Sequence, residues 1–144
     1  VGLQRNSSNI LSNQIQNIVQ KNEDTIKSLK YVKELTLEMY DSLHHSDITK
    51  FGELLHKGWM AKKNFSKDVS NKKIDKMYDS ALKFGALGGK LTGAGGGGHL
   101  LLYCEKHKQT SLILKLEKLG LRHINFKFYS KGPKVLDLYK QVNP

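Results

Sequence analysis

The feature that most limits how this chain can fold is a glycine-rich segment, residues 85–98, which holds eight of its thirteen glycines. Glycine loses much backbone entropy on folding and packs no side chain, so this concentration would weaken a helix or a strand. Its use is to form turns whose successive N–H groups make an anion-binding concavity. Lys90 and Thr92, whose side chains can meet phosphate oxygens, lie just before the densest part. The segment therefore predicts a loop close to a phosphate group.

Two common glycine motifs do not explain the segment. The Gly-x-Gly-x-x-Gly spacing within residues 93–98 fits a dinucleotide loop, but such a loop must open a helix. Here it is followed by residues 99–104, a short apolar run typical of a buried strand. A Walker A loop needs Ser or Thr directly after Gly-Lys, whereas Leu91 follows Lys90. The remaining interpretation is a strand, a glycine turn and a second strand.

Helical periodicity dominates the part of the chain before the glycine segment. The first two helices are predicted over about 6–21, with Leu11, Ile15 and Ile18 at helical spacing, and about 24–45. Two more are expected over about 47–66, capped by Ser46 or Asp47, and from a cap at Asn71 to a stop at Gly85.

After the glycine turn we expect a helix over about 107–119 that ends at Gly120. Alternating Ile124, Phe126 and Phe128 predict a strand, and residues 134–139 a last edge strand or a short extension. Helices followed by β-β-α-β predict one α+β domain over residues 1–144, with helices packed on one face of an antiparallel sheet.

Composition narrows the possible partners. The formal net charge is +11, carried by 22 Lys and only two Arg, which favours anionic ligands: a nucleotide, a sugar phosphate or nucleic acid. The scarcity of Arg argues against a nucleic-acid reader, and most of the lysines are expected on solvated helix faces. We expect no membrane contact, since no apolar run approaches the roughly 18 residues of a membrane span. The lone Cys104 excludes a disulfide framework, favours the cytoplasm and is expected to be a buried structural thiol.

A family resemblance agrees with this arrangement. The third sequence motif of the GHMP small-molecule kinases, Lys-x-Thr-Gly-Ala-Gly-x-Gly-Gly, is matched by Lys90, Thr92, Gly93, Ala94, Gly95, Gly97 and Gly98. Three further stretches resemble the sugar-phosphate branch typified by kinases of D-glycero-D-manno-heptose 7-phosphate: residues 4–11, residues 51–63 with the pattern Leu-His-x-x-Trp-x-x-Lys-Lys, and residues 70–78. The resemblance spans about residues 3 to 135.

The resemblance implies a ferredoxin-like antiparallel sheet with a helical bundle, the C-terminal domain of such a kinase. The intact enzyme would use ATP and Mg²⁺ to phosphorylate the anomeric hydroxyl of a heptose 7-phosphate, for surface polysaccharide synthesis. Its ATP-binding half and catalytic residue have no counterpart in these 144 residues. That missing N-terminal domain is therefore the expected partner, and the chain alone is expected to be inactive.

The resemblance also implies roles for individual residues. Arg5, Lys90 and Thr92 would bind the sugar-phosphate substrate. The glycine loop would lie against the nucleotide-phosphate loop of the other half and support its shape; this loop comprises Gly93, Ala94, Gly95, Gly96, Gly97 and Gly98.

Alternatives stay open for several residues. Lys90 can be merely solvated, Arg5 can cap a helix, and Trp59 fits a core position or a sugar platform. His99 departs from the family pattern and fits a half-buried strand position or a ligand role. No Cys/His spacing suggests a structural zinc site.

Alternatives stay open for the function as well. The domain can serve as a non-catalytic sensor of sugar phosphate or nucleotide, or belong to a kinase for galactose, mevalonate or phosphomevalonate. A basic nucleic-acid binder is the third class.

Overall fold

The computed structural model of the protein describes residues 7–130 and residue 132. These residues form the predicted α+β fold, in which five helices accompany a two-stranded antiparallel sheet. The elements in chain order are α1 (Ser7–Val19), α2 (Glu23–His44), α3 (Ile48–Lys63), α4 (Lys72–Lys83), β1 (Ala86–Leu91), β2 (Leu100–Cys104) and α5 (Lys106–Lys118). In the sheet Lys90 lies opposite Leu101 and Leu91 opposite Leu100, with one irregularity between Ala86 and Gly88.

Side-chain caps set the starts of the helices next to the site. Of the two caps proposed for α3, Asp47 is the one used, and it accepts a hydrogen bond from the N–H of Lys50 at 2.9 Å. Asn71 caps α4 by accepting from two N–H groups of its first turn, at 3.0 and 3.1 Å. Such caps satisfy donors that have no partner within the helix. At the other end of α4, Gly85 adopts a positive φ of 110°, as expected of a glycine stop.

Helix α3 lies against β1 with almost no side chain between them. A Cβ added at Gly88 of β1 would come within 1.9 Å of the Gly52 carbonyl oxygen of α3. A Cβ added at Gly52 would in turn come within 2.2 Å of the Tyr103 ring of β2. The two glycines therefore allow a contact between backbones, which fixes the position of α3 relative to the sheet.

Two apolar clusters form the core. The first joins α1, α3, α4 and β1 and contains Ile10, Trp59, Val69, Ile74, Tyr78 and Leu91. The second lies where α4 and the two strands meet α5 and contains Ala81, Ala86, Cys104, Leu112 and Leu116. Trp59 is only 1% exposed, which favours the core interpretation of this residue over the sugar platform. Cys104 is buried as predicted, and burial raises the pKa of its thiol.

Helix α1 uses a different face from the apolar stripe seen in the sequence. Leu11, Ile15 and Ile18 are 48%, 60% and 42% exposed, and Ile10 is the one buried residue of the helix. The inward face instead carries amide side chains, because α1 packs on polar backbone of the glycine loop and of residues 64–71. Hydrophobic periodicity predicted that this helix would form, but the apolar residues that carry the periodicity lie on its exposed side.

The predicted strand at residues 124–128 is wrong. Residues 121–130 have no regular secondary structure, and the side chain of Phe128 is 96% exposed. A strand needs a ladder partner and a face to bury, and alternation in the sequence supplies neither. The proposed edge strand over 134–139 lies outside the described residues. No helix within residues 7–130 is long and apolar enough to cross a membrane.

Candidate functional site

The glycine loop, residues 92–99, connects β1 to β2 and is closed at its base by Thr92 and His99. The backbone N–H and the side-chain hydroxyl of Thr92 both donate to the His99 carbonyl oxygen, at 2.9 and 3.1 Å. The predicted strand–turn–strand arrangement is thus confirmed. The side chain of His99 is exposed rather than half-buried. The residue closes the loop through its backbone carbonyl oxygen, which accepts both hydrogen bonds from Thr92.

Two glycines of the loop are required by close packing. Gly95 has a φ of 117°, and a Cβ there would lie 2.8 Å from both the Cα and the carbonyl oxygen of Val69. Gly96 has a φ of 70°, and its Cβ would lie 2.6 Å from Cδ1 of Ile10. Glycine adopts these conformations without steric cost. At Gly95 the backbone of Val69 also leaves no room for a side chain, whereas at Gly96 the nearest atom is the end of the movable Ile10 side chain. The Gly96 N–H also donates to the Val69 carbonyl oxygen at 2.8 Å. This part of the loop therefore packs against residues 64–71 and against Ile10 of α1.

Two side chains hold successive carbonyl groups of the same loop. Lys62, near the end of α3, donates from Nζ to the carbonyl oxygen of Gly93. Gln14, in the middle of α1, donates from Nε2 to the carbonyl oxygen of Ala94 at 3.2 Å. We call Lys62 and Gln14 the loop clamps. The peptide groups on both sides of Ala94 are therefore oriented by side chains from two different helices.

Further amides fix α1 in the position from which Gln14 reaches the loop. Asn13 donates to the Asp68 carboxylate at 2.6 Å, and Asn17 donates to the Phe65 carbonyl oxygen at 2.8 Å. The spacing of residues 13, 14 and 17 places the three amides on one helix face. α1 thus lies along the chain segment that also supports the glycine loop.

The three residues proposed to bind substrate differ in what the structure says of them. Lys90 lies on β1 with its side chain exposed, and no hydrogen bond or ion pair to another described residue holds its ammonium group. Thr92 is half-buried, and its hydroxyl closes the loop base. Arg5 lies outside the described residues. The substrate-binding role of all three stays a prediction.

A polar contact joins α3, α4 and β1 behind the loop. His56 Nδ1 lies 2.9 Å from the Tyr78 hydroxyl, which donates to the Gly89 carbonyl oxygen at 3.3 Å. The two rings are stacked, and burial raises the pKa of Tyr78 to about 12. The tyrosine therefore stays neutral at physiological pH, and its hydroxyl helps to fix the strand that leads into Lys90.

The sequence analysis did not identify the loop clamps as functional residues. Lys62 belongs to the Lys-Lys pair that ends the family-like stretch 51–63. Only Lys62 of this pair binds the loop, because Lys63 pairs with Asp75 at 2.8 Å. Gln14 lies 80 positions from Ala94 and has no distinguishing sequence context. Within the described part of the chain, no group of three or more His, Cys, Asp or Glu side chains could hold a metal ion.

Comparison with known protein families gives one match over more than half of the chain. A family model described as GHMP kinases C terminal matches residues 39–120, which include α3, α4, both strands and the glycine loop.

Among curated proteins, the chain is 30% identical to D-glycero-alpha-D-manno-heptose 7-phosphate kinase of Campylobacter jejuni, over 78% of the chain and 33% of that protein. It is 36% identical to mevalonate kinase of Methanocaldococcus jannaschii, over 52% of the chain and 23% of that protein. Galactokinase of Pyrococcus furiosus is 35% identical over 53% of the chain and 21% of its own length. The chain thus spans a third or less of the length of these relatives.

Solved structures show the same fold. L. major mevalonate kinase in complex with R-mevalonate superposes with a TM-score of 0.73 at 18% identity, over 81% of this chain and 36% of that one. A Lin0012 protein from Listeria innocua superposes with a TM-score of 0.77 at 20% identity, over 88% of this chain and 37% of that one.

Proposed function

Because the chain belongs to the family of GHMP kinase C-terminal domains, we propose that it is the C-terminal domain of an ATP-dependent small-molecule kinase. Residues 1–144 then form one domain, and an N-terminal domain supplies the nucleotide-phosphate loop and the catalytic residue. The enzyme transfers the γ-phosphate of ATP to a hydroxyl group of a small metabolite. This domain contributes one wall of the cleft between the two domains.

The observation that carries the proposal is the fixed backbone of the glycine loop. Its peptide groups are held by Val69, Lys62 and Gln14, which belong to three different segments of the chain. Phosphoryl transfer depends mainly on positioning and on dipoles that are oriented before the reaction begins. A glycine loop anchored in this way offers such dipoles to a phosphate group, or to the loop that wraps the phosphate group.

For the acceptor we propose a sugar phosphate, with phosphorylation of the anomeric hydroxyl of a heptose 7-phosphate. The Campylobacter relative, a heptose 7-phosphate kinase, matches 78% of the chain. A net charge of +11 also favours an anionic acceptor. Exposed Lys90 and half-buried Thr92, together with Arg5, are the residues we assign to this acceptor. The mevalonate kinase and galactokinase matches favour acceptors of other branches as the second candidate.

The proposal assigns no magnesium ligand to the described residues of this domain. No cluster of three or more potential ligand side chains is present in the described ranges, whereas Mg²⁺ bound with ATP takes oxygen ligands in octahedral geometry. In the proposal its ligands belong to the phosphates and to the N-terminal domain.

The proposal is tested by measuring phosphoryl transfer from ATP with the full-length protein that contains this chain. The acceptor panel contains heptose 7-phosphate, hexose phosphates, galactose and mevalonate. Turnover on a sugar phosphate would support the proposal and identify the acceptor, while turnover only on mevalonate or galactose would favour the second candidate. No turnover on any acceptor by the folded protein would contradict the kinase proposal and favour a non-catalytic binding module.

Three variants connect the activity to this domain. Gly95→Val places a side chain against the backbone of Val69 at a φ of 117° and should abolish turnover. Lys90→Ala should weaken use of the sugar phosphate without unfolding the protein, since Lys90 is exposed. Gly58→Ala is the matched control, because nothing lies within 4 Å of a Cβ at that helical position. Turnover of the Gly95→Val variant at the rate of the control would contradict the role given to the loop.

A further inference from the structure

We propose that Lys62 and Gln14, the loop clamps, are positioning residues that fix the backbone of Ala94 so that its N–H is oriented for recognition of a phosphate group. Lys62 holds the Gly93 carbonyl oxygen and Gln14 holds the Ala94 carbonyl oxygen. The inference rests on the proposed kinase function for its chemistry. It adds to that function two residues that lie on helices outside the glycine segment.

Because a peptide group is planar, a contact that holds its carbonyl oxygen also fixes the direction of its N–H. Every peptide bond described is trans, so the C=O and N–H of one peptide group point in opposite directions. When Lys62 draws the Gly93 oxygen towards α3, the N–H of Ala94 in the same peptide faces away from α3. Gln14 fixes the next peptide in the same manner, so the φ and ψ angles of Ala94 are set from both sides.

The charge of Lys62 adds an electrostatic effect to the geometric one. A hydrogen bond from an ammonium group is stronger than one between neutral groups. It also polarises the peptide group it binds, which strengthens the N–H on the opposite side as a donor. A phosphate oxygen that reaches the Ala94 N–H would therefore meet a fixed and strengthened donor.

Both clamps are attached to elements that cannot shift easily. Helix α3, which carries Lys62, contacts β1 through the backbones of Gly52 and Gly88. Helix α1, which carries Gln14, is fastened by Asn13 and Asn17 to residues 64–71. The positions of α1 and α3 therefore determine where the clamps hold the carbonyl groups of Gly93 and Ala94.

The chain offers a matched control for Lys62. Lys63 is the next residue of α3, but its ammonium group pairs with Asp75 at 2.8 Å, whereas that of Lys62 binds the loop. Lys62→Met and Lys63→Met therefore remove the same charge from neighbouring positions. Lys62→Arg retains a long cationic donor and serves as the conservative variant. Gln14→Leu removes the second clamp from another helix.

The first experiment measures amide hydrogen exchange in the 144-residue chain by NMR. The Gly96 N–H, bonded to the Val69 oxygen, reports loop opening. The Leu101 N–H in β2 is the internal reference, because the Lys90–Leu101 pair is hydrogen-bonded in a ladder that alternates from the Thr92–His99 bond. Lys62→Met and Gln14→Leu should each speed exchange at Gly96 about tenfold, the factor that corresponds to loss of about 1.4 kcal/mol. Exchange at Leu101 should change less than twofold. Lys63→Met should match the wild type at both sites, and Lys62→Arg should recover most of the protection at Gly96.

The second experiment measures kcat and KM in the full-length protein. Lys62→Met and Gln14→Leu should lower kcat about tenfold while the KM for the acceptor changes less than twofold, because the clamps act on the transferred group. Lys62→Arg should restore most of kcat, a rescue that is not expected of a residue needed only for folding.

The outcomes separate this inference from the kinase proposal. A wild-type protein without turnover would contradict the kinase proposal, and the exchange experiment would still decide whether the clamps orient the loop. With an active wild type, equal behaviour of the Lys62→Met and Lys63→Met variants would overturn the inference. Faster exchange without a change in kcat would also overturn it, because the clamps would then be structural only. If Lys62→Met fails to fold, Gln14→Leu provides the same test from α1.

Discussion

Replacing Gly88 by Ala should destabilise the protein severely, because α3 and β1 touch there through their backbones. The added Cβ would lie 1.9 Å from the Gly52 oxygen and 2.8 Å from the His56 nitrogen, whereas ordinary contacts begin at 3.4 Å. The helix backbone would have to retreat by about 1.5 Å along its contact with the strand. Overpacking with a movable side chain costs about 1–3 kcal/mol. Since the obstacle here is a helix backbone, we expect a loss of at least about 3 kcal/mol, a large part of the roughly 5–15 kcal/mol that stabilises a domain.

The measurement is urea denaturation of the 144-residue chain, followed by tryptophan fluorescence. Trp59 is the one tryptophan and is 1% exposed, so its emission reports on the core directly. A shift of the midpoint at constant slope gives the change in unfolding free energy. Gly58→Ala is the control at an open helix position and should raise stability by roughly 0.5–1 kcal/mol. If the Gly88→Ala variant unfolds within about 0.5 kcal/mol of the wild type, the close approach of α3 to β1 is refuted.

Two further predictions concern helix α4. Asn71→Ala removes an acceptor for two N–H groups and should lower the free energy of unfolding by about 1 kcal/mol. Asn71→Asp keeps an acceptor and should stay near the wild type. Equal losses of stability for the two variants in urea denaturation would contradict the capping role. Burial raises the pKa of Tyr78 to about 12 from an ordinary value of 10.0. As pH rises, the unfolded chain therefore loses the hydroxyl proton before the folded chain does, and the free energy of unfolding should fall between pH 10 and 12. Denaturation midpoints measured over that range should fall less steeply for Tyr78→Phe, and parallel curves for the two proteins would refute the assignment.

The sequence predicts those elements whose cause is local. Asn71 and Asp47 carry acceptors for the first turn of a helix, and Gly85 and Gly120 end α4 and α5 because they adopt positive φ. The glycine turn between two apolar runs was identified on the same grounds. Each of these signals acts over only a few residues.

Long-range features could not be predicted in this way. The contact between Gln14 and Ala94 depends on where α1 lies against residues 64–71, and the apolar spacing of α1 indicated its exposed face instead. The alternation that ends at Phe128 has the period of a strand, but it does not say whether a neighbouring strand is available. The choice of Lys62 rather than Lys63 for the loop is likewise set by the direction of α3 at its end.

The packing of Gly95 and Gly96 against Val69 and Ile10 has a consequence for how such proteins lose their activity. The positive φ of both residues and the contact of Gly95 with the Val69 backbone favour glycine there whatever reaction the domain takes part in. A descendant that had abandoned catalysis would therefore keep the glycine motif for as long as it kept the fold. Lys90 is exposed and held by no other described side chain, so in the proposed kinase it is the position at which loss of the reaction would first change the sequence.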